Sequence, residues 1–178
     1  MSGEYPFGID DAKVTAWNGA TLGATKVDVL GVTALSVNTE STTIEHRGDN
    51  QQMISRKSAK TVSGSVAQAA HQNAAIAVYG DGAVVSTGTT PNVISTYTEP
   101  AAMPGKRYQI EAQAAGGNGD AARITVFKGS TSSGPSFDWS IESFSNPGWD
   151  YDALATTVSS TSVFYKLEQY ETAVNITT

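Results

Sequence analysis

The stretch Thr33–Gly82 constrains the fold of this chain most. It reads as a long strand, a charged polar loop, a second strand rich in small residues, and one short Ala-rich helix ended by glycine. Leu35 and Val37 fall on one face of the first strand, and Ser36, Asn38, Glu40 and Thr42 on the other. Ile44 breaks that parity, which predicts a β-bulge near Thr42. Val62 and Val66 point inward on the second strand, while Thr61, Ser63 and Ser65 point outward. The two strands can pair, but residues 47–58 between them are too polar for this chain's own core. A charged arm leaving a β domain is best explained as a contact with a neighbouring molecule.

The 178 residues suit one domain, 1–178, with an irregular N-terminal arm at 1–11. A chain of this size buries roughly 70% of its unfolded surface, enough for a core without staples. There is no cysteine, so disulfides and thiolate metal sites are excluded. The formal net charge of −6 argues against holding nucleic acid through its phosphates, which takes clustered Lys and Arg. The first residues carry Glu4, Asp10 and Asp11 and no apolar run, so no signal peptide is expected. The apolar run Ala74–Tyr79 is too short to cross a bilayer. A soluble protein made in a cytoplasm, with no membrane partner, is the expectation.

Elsewhere the pattern is short strands and turns. Ala12–Trp17 alternates, and Asn18-Gly19 marks a turn. Lys26–Leu30 is a short strand or extended arm. Residues 71–79 form the one helix, with Ala70, Ala74 and Val78 as its apolar stripe, Ala75 and Tyr79 beside it, and Gly80 as its stop. Residues 83–104 are loop with one or two short strands. Lys106–Ala115 and Ala122–Lys128 are strands of a hairpin turned by GGNGD. Ser136–Phe144, Trp149–Val158 and Ser162–Glu171 complete the set. The fold class is all-β, with two packed antiparallel sheets in a sandwich or partly open barrel, one short flanking helix and a long inter-strand loop.

Catalytic signatures are missing from the sequence. His46 and His71 lie in different elements with no metal-ligand spacing, and no G-x-S-x-G elbow occurs. The Gly-rich runs GDGAVV and GGNG sit where turns are needed and not before a helix. Asp138 and Glu142 share a strand face, but four residues of strand separate their Cα atoms by about 13 Å, too far for a glycosidase pair. Arg47-Gly48-Asp49 and Asn175-Ile176-Thr177 match an adhesion tripeptide and a glycosylation acceptor, and neither has supporting context. No enzyme activity, metal or cofactor is expected, and a screen against esters and glycosides is expected to be blank.

The order of elements from Leu35 to Gly82 resembles the major tail tube protein of long-tailed, siphovirus-type bacteriophages. The residues carrying the likeness are Glu45-His46-Arg47-Gly48-Asp49-Asn50, the following QQMISRKSAK, the strand TVSGSVAQA and the helix AAIAVYG. The later hairpin, the Trp-containing segment FDWSIESF and the last strand FYKLEQYE fit the same order, so the likeness covers most of residues 12–171. His46 stands where the family has an apolar residue, and Asn50 where it has a second acid.

The resemblance implies a structural virion subunit that assembles in the host bacterial cytoplasm into hexameric rings stacked as a hollow tail tube. Double-stranded DNA passes through such a lumen without tight binding. The implied partners are further copies of the chain and tape-measure, tail-tip and tail-terminator proteins. The loop at 47–58, with Arg47, Asp49, Asn50, Gln51, Gln52, Arg56, Lys57 and Lys60, is expected to reach the next ring. Acidic groups there, among Asp10, Asp11, Asp150 and Asp152, are its expected counterparts. Ser36, Asn38, Glu40, Thr42, Thr61, Ser63 and Ser65, with Asp138 and Glu142, are the expected lumen residues. Small hydroxyls and a few carboxylates repel DNA weakly, whereas a Lys-rich wall grips it. The competing reading is a carbohydrate- or cell-binding β-sandwich of a virion, using its three Trp and seven Tyr as a stacking platform. A monomer whose Trp fluorescence responds to a glycan distinguishes it from a self-assembling tube.

Overall fold

The computed structural model describes residues 8–48, 51–102, 105–117, 119–137 and 147–177. Among these, twelve strands and one helix follow one another: β1 (Asp11–Asn18), β2 (Thr21–Asp28), β3 (Val32–Gly48), β4 (Gln51–Gln68), α1 (Asn73–Tyr79), β5 (Ala83–Thr87), β6 (Ile94–Thr98), β7 (Tyr108–Ala115), β8 (Ala121–Ser136), β9 (Gly148–Ala153), β10 (Thr156–Val158), β11 (Thr161–Val163) and β12 (Tyr165–Tyr170). The protein is therefore mostly β, with antiparallel pairing throughout.

One eight-stranded sheet dominates, in the order β2-β1-β7-β8-β9-β4-β3, with β12 also paired to β8. Two hairpins, β5–β6 and β10–β11, form small separate sheets. The large sheet folds back on itself. Strand β8 makes this possible because it belongs to both halves. Its first residues pair with β12 (Ala121↔Tyr170 to Val126↔Tyr165) and its later ones with β9 (Gly129↔Ala153 to Ser136↔Gly148), with register shifts along the second stretch. Val14, Tyr108, Ile110 and Val126 of one half thereby meet Val62, Val66, Trp149 and Tyr151 of the other in a single core. The result is the expected sandwich-like architecture, made mainly from one continuous sheet.

Several sequence expectations hold in detail. Val62 and Val66 are buried. The pairing of β3 with β4 shifts register between Ser41 and Thr43, where the bulge was expected. That bulge does not bury Ile44, which stays 64% exposed. Asn18 and Thr21 close the first hairpin with Gly19 at φ +65°, a left-handed conformation that favours glycine.

Other expectations are corrected. Residues 47–48 and 51–58 are strand and not loop. Strand β3 runs on to Gly48 and β4 starts at Gln51, with Ile44↔Arg56, His46↔Ile54 and Gly48↔Gln51 in register. The tongue is a two-stranded ribbon. The sequence hid it because its residues are mostly polar and the apolar Met53 and Ile54 are adjacent, leaving no hydrophobic alternation to read. Asp49 and Asn50 lie outside the described residues, as does most of the expected strand Ser136–Phe144, including Asp138 and Glu142. The last expected strand is divided at Phe164 into β11 and β12, and Leu167 on β12 is 65% exposed.

Helix α1 starts two residues later than expected and buries Ala75, Ile76 and Tyr79, so the buried face is turned one position from the expected stripe. Gly80 ends it without the left-handed C-cap conformation (φ −79°, ψ 160°). Glycine is needed there for space, since a Cβ would sit 2.3 Å from the Tyr97 hydroxyl. Lys106 Nζ covers the helix end, donating to the Ala77 carbonyl at 2.9 Å.

Gly64 is held closely between β3 and β9. A Cβ there would lie 2.1 Å from the Ser36 carbonyl and 2.5 Å from the Tyr151 hydroxyl, which itself donates to Ser36 O at 2.8 Å. Gly64→Ala is therefore expected to cost about 1–3 kcal/mol in urea denaturation. Gly134→Ala, with nothing within 4 Å of its Cβ, serves as the control and should stay within ~0.5 kcal/mol.

Burial raises the Tyr79, Tyr108 and Tyr151 phenols well above their ordinary range. A raised phenol is neutral in the folded state at pH values where the unfolded chain ionises it. Stability is thus fully present below about pH 10 and falls as pH climbs beyond it. Absorbance titration at 295 nm should show these three tyrosines ionising only as the protein unfolds, and ionisation of all seven before unfolding would contradict the burial.

Candidate functional site

The register places most of the expected lumen residues on one sheet face, with Asn38, Glu40 and Thr61 exposed and Ser36, Ser63 and Ser65 half-buried. Ser36 opposes Ser65, Asn38 opposes Ser63, and Glu40 opposes Thr61. Ser36 Oγ and Ser65 Oγ are 2.8 Å apart, and the Ser65 amide donates to Ser36 Oγ at 2.9 Å. The same strand alternation that puts Val62, Gly64 and Val66 in the core turns Thr61, Ser63 and Ser65 outward. Thr42 falls at the register shift, beyond this paired block.

The face continues across β9 and β8. Ser63 opposes Asp152 and Ser65 opposes Asp150, while Ser130 and Ser133 of β8 oppose the same two aspartates. Asp150 and Asp152 are exposed, and their neighbours in the strand, Trp149, Tyr151 and Ala153, are buried. The register-matched positions thus carry three carboxylates, from Glu40, Asp150 and Asp152, together with hydroxyls and one amide. None of those positions is Lys or Arg. Arg107 touches the border, donating to Ser130 Oγ at 2.9 Å. Sequence reading treated Asp150 and Asp152 as counterparts of the tongue. The alternation in WDYDA was a signal for an outward acidic face, but the partner strand that completes it is about ninety residues earlier and only the fold supplies it.

The opposite flank, on β1, β2, β7, β8 and β12, has a different electrostatic character. Lys13 pairs with Asp28 at 2.7 Å, Lys26 with Glu111 at 2.7 Å, and Lys166 with Glu168 at 2.9 Å. The Asp28 hydrogen bond holds the Lys13 ammonium above the usual lysine range, against a smaller opposing effect of burial. Hydrogen bonding to Lys166 lowers the Glu168 carboxyl. This flank mixes both signs and forms ion pairs, whereas the hydroxyl face carries acids alone at its register-matched positions.

The third feature is the ribbon. Strand β9 pairs with β4 only from Val62 to Ala67, so Gln51–Thr61 has β3 as its sheet neighbour. At about 3.4 Å per residue this part of β4 extends some 34 Å. Ser55, Arg56, Lys57 and Lys60 are exposed on it, and Arg47, Gln51 and Gln52 belong to its paired backbone.

A groove of about 480 Å³ lies beside α1, with His71, Asn73, Tyr97 and Phe137 in its wall. Its polar groups serve one another: Asn73 donates to the Ser95 carbonyl at 2.8 Å and lies 2.9 Å from His71 Nε2. Among the described residues no cluster of three or more His, Asp or Glu can hold a metal ion. No helix among them is long and apolar enough to cross a membrane. No protein-family model matches the sequence, and no curated protein matches it.

Because Glu40, Asp150 and Asp152 are exposed, Asp150→Asn and Asp152→Asn should each leave stability within ~0.5 kcal/mol of the parent. Any small gain from relieving their mutual repulsion should shrink on adding salt, as followed by urea midpoints at low and high ionic strength.

Proposed function

We propose that this protein is the structural subunit of a phage-type tail tube, a non-catalytic, self-assembling conduit through which DNA passes. The observation that carries the reading is the acidic hydroxyl face across β3, β4, β9 and β8. A wall of Ser, Thr, Asn, Asp and Glu gives phosphates no cation to displace counterions, so a polyanion slides past it. The likeness in element order around residues 35–82 supports the same reading.

The edges agree with assembly. Strands β2, β3 and β12 are edges of the large sheet, and β3 is seventeen residues long. A long open edge invites pairing with another chain, and joining edges between copies around a ring removes that hazard. The β3–β4 ribbon then extends from each subunit toward the neighbouring ring. Hexameric rings, a virion-tail location and partners at the tube ends belong to this proposal.

Negative-stain images of the concentrated protein should show rings or tubes, whereas a monodisperse monomer at all concentrations would end the reading. Asp150→Lys combined with Asp152→Lys should still assemble, but those tubes should retain double-stranded DNA at low salt and release it as salt rises. Deleting Asn50–Lys57 should leave a folded subunit unable to form long tubes.

A further inference from the structure

The start of β3 borders an open groove of about 680 Å³. Its wall includes Asp10, Asp11, Asp28, Leu30, Asn175 and Thr177. The chain's C-terminal segment forms one side and is pinned there. Ile176 is only 2% exposed, its amide donates to Asp11 Oδ2 at 3.2 Å, and Arg123 donates to the Val174 carbonyl. Three carboxylates against the one ammonium of Lys13 leave the groove at a net −2. Leu30, 54% exposed, gives it an apolar lip.

The far end of β3 carries the complement. Residues 43–60 hold Arg47, Arg56, Lys57 and Lys60 against Glu45 and Asp49, a formal net of +2 in a chain of −6. Ile44, 64% exposed, stands opposite Arg56 in the ribbon. Each end therefore pairs one exposed aliphatic side chain with a net charge, and the two net charges are opposite in sign. From Gly31 to Ile44 the chain spans about 44 Å of extended strand. A subunit cannot bend its own paired ribbon back across that distance.

We propose that this groove receives the Ile44–Arg56–Lys57 end of the β3–β4 ribbon from a second copy of the chain. The inference rests on the tube reading and names the receptor that reading needs. The contact is head-to-tail: groove at one end of β3, ribbon at the other. Such a contact leaves a free groove and a free ribbon after every addition, so it propagates as a stack and does not close as a dimer. The charges add steering and register, and their contribution is sensitive to salt.

Charge reversal tests this. Asp10→Lys with Asn175→Lys reverses the groove rim without touching the Lys13–Asp28 pair or the Asp11–Ile176 bond. Arg56→Glu with Lys57→Glu reverses the ribbon. Each double variant should keep the parental near-ultraviolet circular dichroism yet raise the concentration needed for tube growth roughly tenfold, as expected from losing two or three charge pairs per contact. The quadruple variant should recover assembly. If the unmodified protein forms tubes and the groove variant grows them at the parental concentration, or the quadruple variant fails to recover, the groove is not the receptor. If the unmodified protein forms no tubes at all, the tube reading itself falls.

Discussion

The indole of Trp149 is the contact on which the rest of the architecture depends. Its ring stacks on Tyr79 of α1 with centroids 3.7 Å apart and planes 8° from parallel. Its Nε1 donates to the Tyr108 hydroxyl at 3.1 Å. That hydroxyl lies 3.1 Å from Thr131 Oγ1, and Thr131 donates onward to the Tyr79 carbonyl. Thr131 has one proton and gives it to that carbonyl, so Tyr108 must be the donor between them. Donors and acceptors therefore run in one direction from Trp149 to Tyr108, Thr131 and Tyr79, and the stack returns the path to Trp149. Gln68 Nε2 donates to the Tyr79 hydroxyl at 3.2 Å and so ties in β4. Strands β4, β7, β8 and β9 and the helix are thus fixed to one another at a single point.

This circuit explains how one sheet acts as two layers. Tyr108 and Thr131 lie on β7 and β8, while Trp149 and Gln68 lie on β9 and β4. Holding these four strands around Tyr79 forces the sheet to turn. The turn places one surface of β3, β4 and β9 against the core and leaves the reverse surface, with Glu40, Asp150 and Asp152, open to solvent. The acidic face is a by-product of aromatic packing beneath it, since each outward aspartate alternates with an inward Trp149, Tyr151 or Ala153.

The sequence was most legible where one face is buried and the other is wet. The alternation of Val62 and Val66 against Thr61, Ser63 and Ser65 gave the correct strand and faces, and the parity fault at Ile44 located the bulge. The helix was visible from its composition, but its buried side was misplaced by one residue because Ala carries little contrast between faces. The ribbon reads as a loop because its sequence is mostly polar and its apolar Met53 and Ile54 are adjacent, so it has no hydrophobic period. Asp150 and Asp152 were noticed without their true neighbours, Ser63 and Ser65, since sequence spacing says nothing about a partner so far along the chain. The Trp149 circuit was invisible for the same reason, as its four residues come from four separate elements.

The unusual length of β3 has a consequence for any assembly built from this chain. In the proposed stack it would act as a molecular ruler, joining the groove at its beginning to the ribbon near its end. The axial repeat of a stack joined through those points is bounded above by that strand's span, about 44 Å, and is shorter in proportion to strand tilt. Inserting a pair of residues into each of β3 and β4 beyond the core would lengthen the ruler by about 7 Å while preserving which side chains face which way. The pitch of such a stack would thereby be encoded in the residue count of one hairpin.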